Sequence, residues 1–395
     1  MLSERGSVGG RGRPRGLAAR AAWLLALALV ACANDSRPVA IGYAFPLSGR
    51  DVVAVVRDEL AALRPDRPAF RIVFDSVVPG DPADVEVERA ERFAAMADLI
   101  GVVGHAGSRG SLAAAPVYNE FEVPQIVPTA TSRLLSGIGP WTFPLVPNDS
   151  IEGEFIGEFT AVRLGARRVT VFYINDEYGT GLRDGVTSAL DRRGVAVVDE
   201  VPFDHAGDPE TLVEASIRRA RPDVLVVAAR QRETGRIARA AWERGVRRFV
   251  VGDGALIPRE LVPLAGPAAD SIYAVAFWLP DRVDSLSRAF ADRYRRITRE
   301  DPTPAAALAR DGIMLLAEAA RQVGTDRQRI RDYLRSLGRT RPPFRGVTGP
   351  ISFVPGRPAR LQMARLARGR PVAVVDWDPT GSGATPPGGR VRAAW

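Results

Sequence analysis

Short runs rich in β-branched and aliphatic residues alternate with stretches of helical spacing along most of the 395 residues, in two series. The first runs VAIGYAF (39–45), a helical stretch 51–63, RIVFD (71–75), a helix 82–97, LIGVVG (99–104), a helix 108–121 and QIV (125–127). LIGVVG has no polar alternation, the mark of a strand buried on both faces. The second series has helices at 152–164, 178–193, 209–220 and 233–244. Between them lie VTVFYI (169–174), a strand at 195–201, VLVVAA (224–229) and a strand at 249–252. Repeated βα units predict parallel sheets covered by helices on both faces. The fold class expected is therefore α/β, with two doubly wound parallel-sheet lobes joined by a multi-crossover hinge.

A strand at 272–277 is expected to lead back towards the first lobe. Helices at 283–299, 304–323 and 327–337 follow, then a Pro/Gly-rich stretch 341–349 and strands near 351–353, 361–366 and 371–377. The division predicted is 39–147 plus 278–340 for the first lobe and 148–277 plus 341–377 for the second. The Gly- and Pro-rich tail 378–395 is predicted to be disordered.

Ahead of the first strand, an Arg/Gly-rich segment precedes the apolar run AAWLLALALVA (21–31) and then Cys32, the only cysteine. Eleven apolar residues are too few to cross a bilayer, which takes about 20, but they fit a secretory signal. The residues LVAC (29–32) resemble the bacterial lipobox, so 1–31 is expected to be a lipoprotein signal peptide. Cys32 would then be the lipidated residue and 32–38 the tether; a plain secretory signal cut nearby is the simpler reading. One cysteine also excludes a disulfide within the chain.

The net charge of +8 comes entirely from arginine, since the sequence has no lysine. Loss of the leader removes five arginines and one glutamate, leaving about +4. The remaining charges are mixed in sign and form no basic stripe, so nucleic acid is not an expected partner.

Enzyme chemistry is poorly served. AGSRG (106–110) departs from the nucleophile elbow at Ala106, and only His105 and His205 could act as its base. Gly101, Gly104 and Gly107 do not make the dinucleotide fingerprint. One cysteine and two separated histidines offer no metal cluster. The chain is expected to be no enzyme and to need no cofactor or metal.

Several segments, in order, resemble the branched-chain amino-acid-binding type of periplasmic solute receptor. They are FPLSG (45–49), IGVVGHAGS (100–108), AAAPVYN (113–119) with VPQIVPTATS (123–132), NDEYGTGL (175–182), PDVLVV (222–227), VGDG (251–254) and VTGPISF (347–353). The resemblance implies a type I periplasmic binding fold. It also implies extracytoplasmic capture of an amino acid or related small polar carboxylate, and delivery to an ABC permease by a protein held at the cell envelope through its lipid. Two departures stand out. The stretch between Gly49 and Asp51 is too short for the family's usual insert, and Arg230 stands where branched-chain receptors carry an aromatic residue. A second reading keeps the fold and drops transport: an envelope lipoprotein acting as a sensor or as a regulator of cell-wall enzymes.

Doubly wound sheets bind ligands beyond the carboxyl ends of their strands. Six residues at such positions form the candidate site. Ser108 would offer a hydroxyl at a helix N-terminus suited to a carboxylate, or simply cap that helix. Thr129 and Thr131, by the resemblance, would contact the same carboxylate; otherwise they satisfy their own turn. Tyr178, by the resemblance, would cover the ligand from the second lobe, or lie on that lobe's surface. Asp253 would pair with an α-ammonium, or serve a turn before Gly254. Arg230 would hold a second carboxylate, or snorkel to solvent.

Overall fold

The computed structural model describes residues 38–63, 69–78, 81–204, 207–280, 284–354 and 361–377. The predicted leader, Cys32, His205 and the predicted tail lie outside the described residues.

The first lobe is a five-stranded parallel sheet in the order β2-β1-β3-β4-β5. Its strands are β1 (Val39–Phe45), β2 (Phe70–Ser76), β3 (Leu99–Val103), β4 (Gln125–Val127) and β5 (Thr142–Pro144). Between them run α1 (Arg50–Ala61), α2 (Ala83–Ala94) and α3 (Ser108–Glu120). All five residues of β3 are buried, as its unbroken apolar run predicts. The order reverses between β1 and β3, which opens a crevice at their carboxyl ends. β5 escaped the sequence reading, because three residues carry too little periodicity.

The chain then crosses into a seven-stranded sheet in the order β14-β13-β10-β9-β8-β6-β7. Its parallel part is β6 (Arg168–Ile174), β7 (Ala196–Phe203), β8 (Val224–Ala228), β9 (Phe249–Val251) and β10 (Ile272–Ala276). The helices are α4 (Asp149–Glu158, prolonged by one wide π turn), α5 (Glu177–Arg192), α6 (Pro209–Ala220), α7 (Gln231–Glu243) and the unforeseen α8 (Pro258–Ala265). Here the order reverses between β6 and β8.

After β10 the chain returns to the first lobe. Helices α9 (Ser285–Thr298), α10 (Pro304–Val323) and α11 (Arg327–Ser336) pack on α1 and β3. Thr303 caps α10 by accepting from the Ala306 amide, and Pro304 begins it, a favoured start. Arg310 of α10 reaches Glu59 of α1 at 2.6 Å.

The hairpin of β11 (Phe344–Gly346) and β12 (Gly349–Ile351) corrects the predicted boundary at residue 341. It packs on α10, where buried Asp311 accepts from the Val347 and Thr348 amides, each at 2.9 Å. Phe353 also meets Phe143 of β5 edge-on, with centroids 5.0 Å apart. The second lobe regains the chain only at β13 (Leu361–Ala367), antiparallel to β10, and β14 (Arg370–Trp377), antiparallel to β13. Among the described residues no helix is long and apolar enough to cross a membrane.

Candidate functional site

On the first-lobe side the loop after β3 leads straight into α3. Gly107 is the N-cap of α3, with φ +80, and Ser108 is its first helical residue. Glycine adopts that φ without strain, and a Cβ there would meet nothing within 4 Å. Ser108 is buried and is not the cap, so the capping explanation of its presence fails. The α3 N-terminus offers unpaired backbone N–H groups and a partial positive charge.

This loop is held from behind. Ser111 Oγ donates to the His105 carbonyl at 2.7 Å, and Gln125 Nε2 donates to the Gly104 carbonyl at 3.1 Å. The His105 ring is wholly buried between Glu86, 2.6 Å from Nδ1, and the Tyr118 hydroxyl, 2.8 Å from Nε2. A carboxylate can only accept, so Nδ1 carries the proton and Nε2 of the neutral ring accepts from Tyr118. Burial holds the His105 pKa below its usual range, although Glu86 pulls the other way. Both ring nitrogens are engaged, so His105 is no base for Ser108. Arg89 completes the group with bonds to Glu86 at 2.6 Å and Asp75 at 3.1 Å.

Thr131 is buried on the loop after β4. Its carbonyl accepts from the Asp149 amide at 2.7 Å, and its side chain hydrogen-bonds the Asp149 carboxyl. Thr129 is half-buried on the same loop; among the described residues no hydrogen bond joins it to the cluster below.

The second-lobe side is acidic. Asp149 and Glu152 stand three residues apart at the start of α4, hence on one helix face. Asp253 follows β9, and its amide donates to Glu152 Oε1 at 2.7 Å. The two carboxyl groups also lie against each other. Burial, then the Asp253 charge, pushes Glu152 well above the carboxylate range. Burial pushes Asp253 to about 6 and Asp149 to about 7. Tyr178 lies against this pair with its hydroxyl 3.4 Å from the Gly254 amide, which donates to it. Side chains at Gly252 or Gly254 would crowd that hydroxyl, which is why the strand end reads V-G-D-G. Tyr178 is buried, so the reading that puts it on the lobe surface fails.

Arg230 corrects its prediction. Its Nη1 donates to Asp176 Oδ2 at 3.1 Å, and its guanidinium lies 5.7 Å from the Tyr178 ring centroid. Asp176 is the N-cap of α5, accepting from the Gly179 amide at 2.9 Å. The arginine is thus committed to a neighbouring acid and is not a free clamp for a second carboxylate. Asp253 is corrected in part, being packed against a second buried acid, Glu152, and not a lone carboxylate.

Thr131, Tyr178, Arg230 and Asp253 therefore join one cluster, with Asp149 and Glu152 added. Ser108 stands across the cleft from it. There Arg109 of α3 comes within 3.8 Å of Glu177 of α5, so the two helix N-termini approach each other. The sequence reading began α4 at Glu152 and left Asp149 in the crossover. The acid pair at helical spacing behind a lobe crossing was the signal that could have found both. Among the described residues no group of three or more His, Cys, Asp or Glu could hold a metal ion.

A sequence profile described as "periplasmic binding protein" matches residues 74–381. The chain belongs to the periplasmic binding protein family. Within it, the Leu/Ile/Val-binding protein homolog 1 of Brucella suis is 25% identical over 258 residues, 64% of this chain and 67% of that protein. A leucine-, isoleucine-, valine-, threonine- and alanine-binding protein of Pseudomonas aeruginosa is 24% identical over 64% of this chain and 66% of its own length. The branched-chain amino acid transporter substrate-binding protein of Streptococcus pneumoniae, solved with isoleucine, superposes with a TM-score of 0.77. It is 24% identical and covers 87% of this chain and all of its own. A solute-binding protein of R. palustris solved with benzoate superposes at 0.74, with 15% identity, over 86% of this chain and 96% of its own. These likenesses fix the type I two-lobed fold, and the relatives are solute-binding proteins, not enzymes.

Proposed function

We propose that this family member is the extracytoplasmic solute-binding lipoprotein of an ABC importer, closing its lobes on an amino acid or a related small polar carboxylate. The observation that carries this is the polarity of the cleft. Ser108 and the α3 N-terminus present hydroxyl and N–H donors on one side. The Glu152–Asp253 pair, beneath Tyr178, presents acceptors on the other. A zwitterion fits that arrangement, with its carboxylate on the first lobe and its ammonium on the second. Relatives are named for branched-chain amino acids or were solved with benzoate; benzoate has no ammonium to meet these acids.

In this mechanism the first lobe binds first, and hinge closure adds the second-lobe contacts. Closure is favoured only by the extra affinity of the closed state. The closed form would then dock on its permease, with Cys32 carrying the lipid. Thermal unfolding of the full chain in detergent, against amino acids, amides and carboxylates, tests the reading. A ligand at about 100 times its dissociation constant adds about 2.7 kcal/mol of stability. Asp253→Ala should weaken an amino acid and spare a plain carboxylate. No shift with any solute would transfer the protein to the sensor or regulator class.

A further inference from the structure

The proposed zwitterion leaves the second-lobe face short of positive charge. Four acids stand there: Asp149, Glu152, Asp176 and Asp253. The arginine among them, Arg230, is bonded to Asp176. The ammonium of an ordinary amino acid would answer the Glu152–Asp253 pair, whose two acids lie side by side. Asp149 would remain. It is 1% exposed, and its Oδ1 has no hydrogen-bond partner. Glu152, fully buried, likewise has an unpartnered Oε2. Buried polar atoms are rarely left without partners, because each costs about 1–3 kcal/mol. Two such atoms on one face of α4, in a cleft built to close, mark places where donors are supplied from outside the chain.

We propose that the cleft takes a solute with two cationic nitrogens, a diamino carboxylic acid, whose α-ammonium meets Glu152 and Asp253 and whose second ammonium meets Asp149. This rests on the amino-acid reading above and narrows it. The surroundings of Asp149 suit the role. Thr131 hydrogen-bonds its carboxyl, Gly181 of α5 leaves it room, and the charges facing it are Glu152, Asp253 and Asp176, with Arg133 behind. Three of those four charges are negative, so a cation entering there is drawn by several groups at once. Arg230 is ion-paired with Asp176, and its charge acts on Asp253. The elevated proton affinities of Asp149 and Asp253 fit the same picture, since a dication would displace the protons these buried acids hold.

Calorimetry on the full chain in detergent, at a pH of about 8 where Asp149 is ionised, tests this with L-ornithine, L-norleucine and cadaverine. Ornithine and norleucine are close in shape and differ by the terminal charge. Ornithine should bind about tenfold or more tighter than norleucine, and Asp149→Asn should erase most of that ratio. Norleucine binding as well as ornithine, or a ratio untouched by Asp149→Asn, would overturn the two-cation site and leave the amino-acid reading intact. Cadaverine binding without either amino acid would keep the two-cation site and remove the amino-acid reading. If none of the three binds, both are wrong.

Discussion

Glu86 in the first lobe and Glu152 in the second are both almost wholly buried, at 2% and 0% exposed. Glu86 accepts from Arg89 and pairs with His105, each at 2.6 Å. Glu152 accepts from one amide, is pressed against Asp253 and leaves an oxygen without a partner. The first lobe spends its buried charge on fixing the 104–108 loop, so that a helix N-terminus waits in a set place. Among the described residues, the second lobe leaves Asp149, Glu152 and Asp253 without an ion pair, its Arg230 being bonded to Asp176. That difference separates groups that hold a site together from groups kept ready for a ligand, where local destabilisation is tolerated because binding relieves it.

The contrast is broken most directly at Glu86. Glu86→Ala leaves His105 Nδ1 and Arg89 Nη1 without their buried acceptor and should cost about 3–5 kcal/mol, the usual result of removing one partner of a buried ion pair. Chemical denaturation would measure it, and a loss under about 1 kcal/mol would mean that the first-lobe network is not structural.

The pH dependence of stability is the next largest effect and should differ in sign between the lobes. Asp149 at about 7 and Asp253 at about 6 lie above their ordinary 3.8, so the folded, ligand-free protein keeps protons that the unfolded chain has lost. Their contribution is fully present below about pH 4 and is lost as pH rises through 6 to 7, by roughly 2 kcal/mol for Asp149 alone between pH 5 and 8. His105 is held below 6.5 by burial and acts oppositely, costing stability as pH falls and the unfolded histidine takes up a proton. Melting curves from pH 5 to 8 should show the second-lobe decline in the free protein. Asp149→Asn should flatten it, and a profile unchanged by that substitution would remove Asp149 from the account.

The smallest effect sharpens the comparison through its sign. Glu152→Gln removes a crowded carboxyl while keeping its shape, and should stabilise the ligand-free protein by about 1 kcal/mol while weakening its ligand. Paired denaturation and binding measurements read both. Destabilisation would place Glu152 with Glu86 among the structural acids.

Much of this was legible in the residues. The run LIGVVG gave a buried central strand, VLVVAA its counterpart, and the helix after Gly107 starts at Ser108 as spacing indicates. Asp253 and Tyr178 were picked out from their places at strand and helix ends, and they meet. Arg230 was misjudged because its partner, Asp176, lies 54 residues away, on the helix that follows another strand. The hairpin at 344–351 was given to the wrong lobe because its anchor, Asp311, sits on a helix 36 residues earlier.

The sequence by itself determined the alternation of strand and helix, and with it the ends of the strands at which a ligand can be met. Periodicity is a local property, set by side-chain direction along a few residues. Only the tertiary structure decided which acids are buried against each other and which find a cation. Glu152 and Asp253 are 101 residues apart in sequence, and the cost of their meeting arises from a burial that neither residue's neighbours encode.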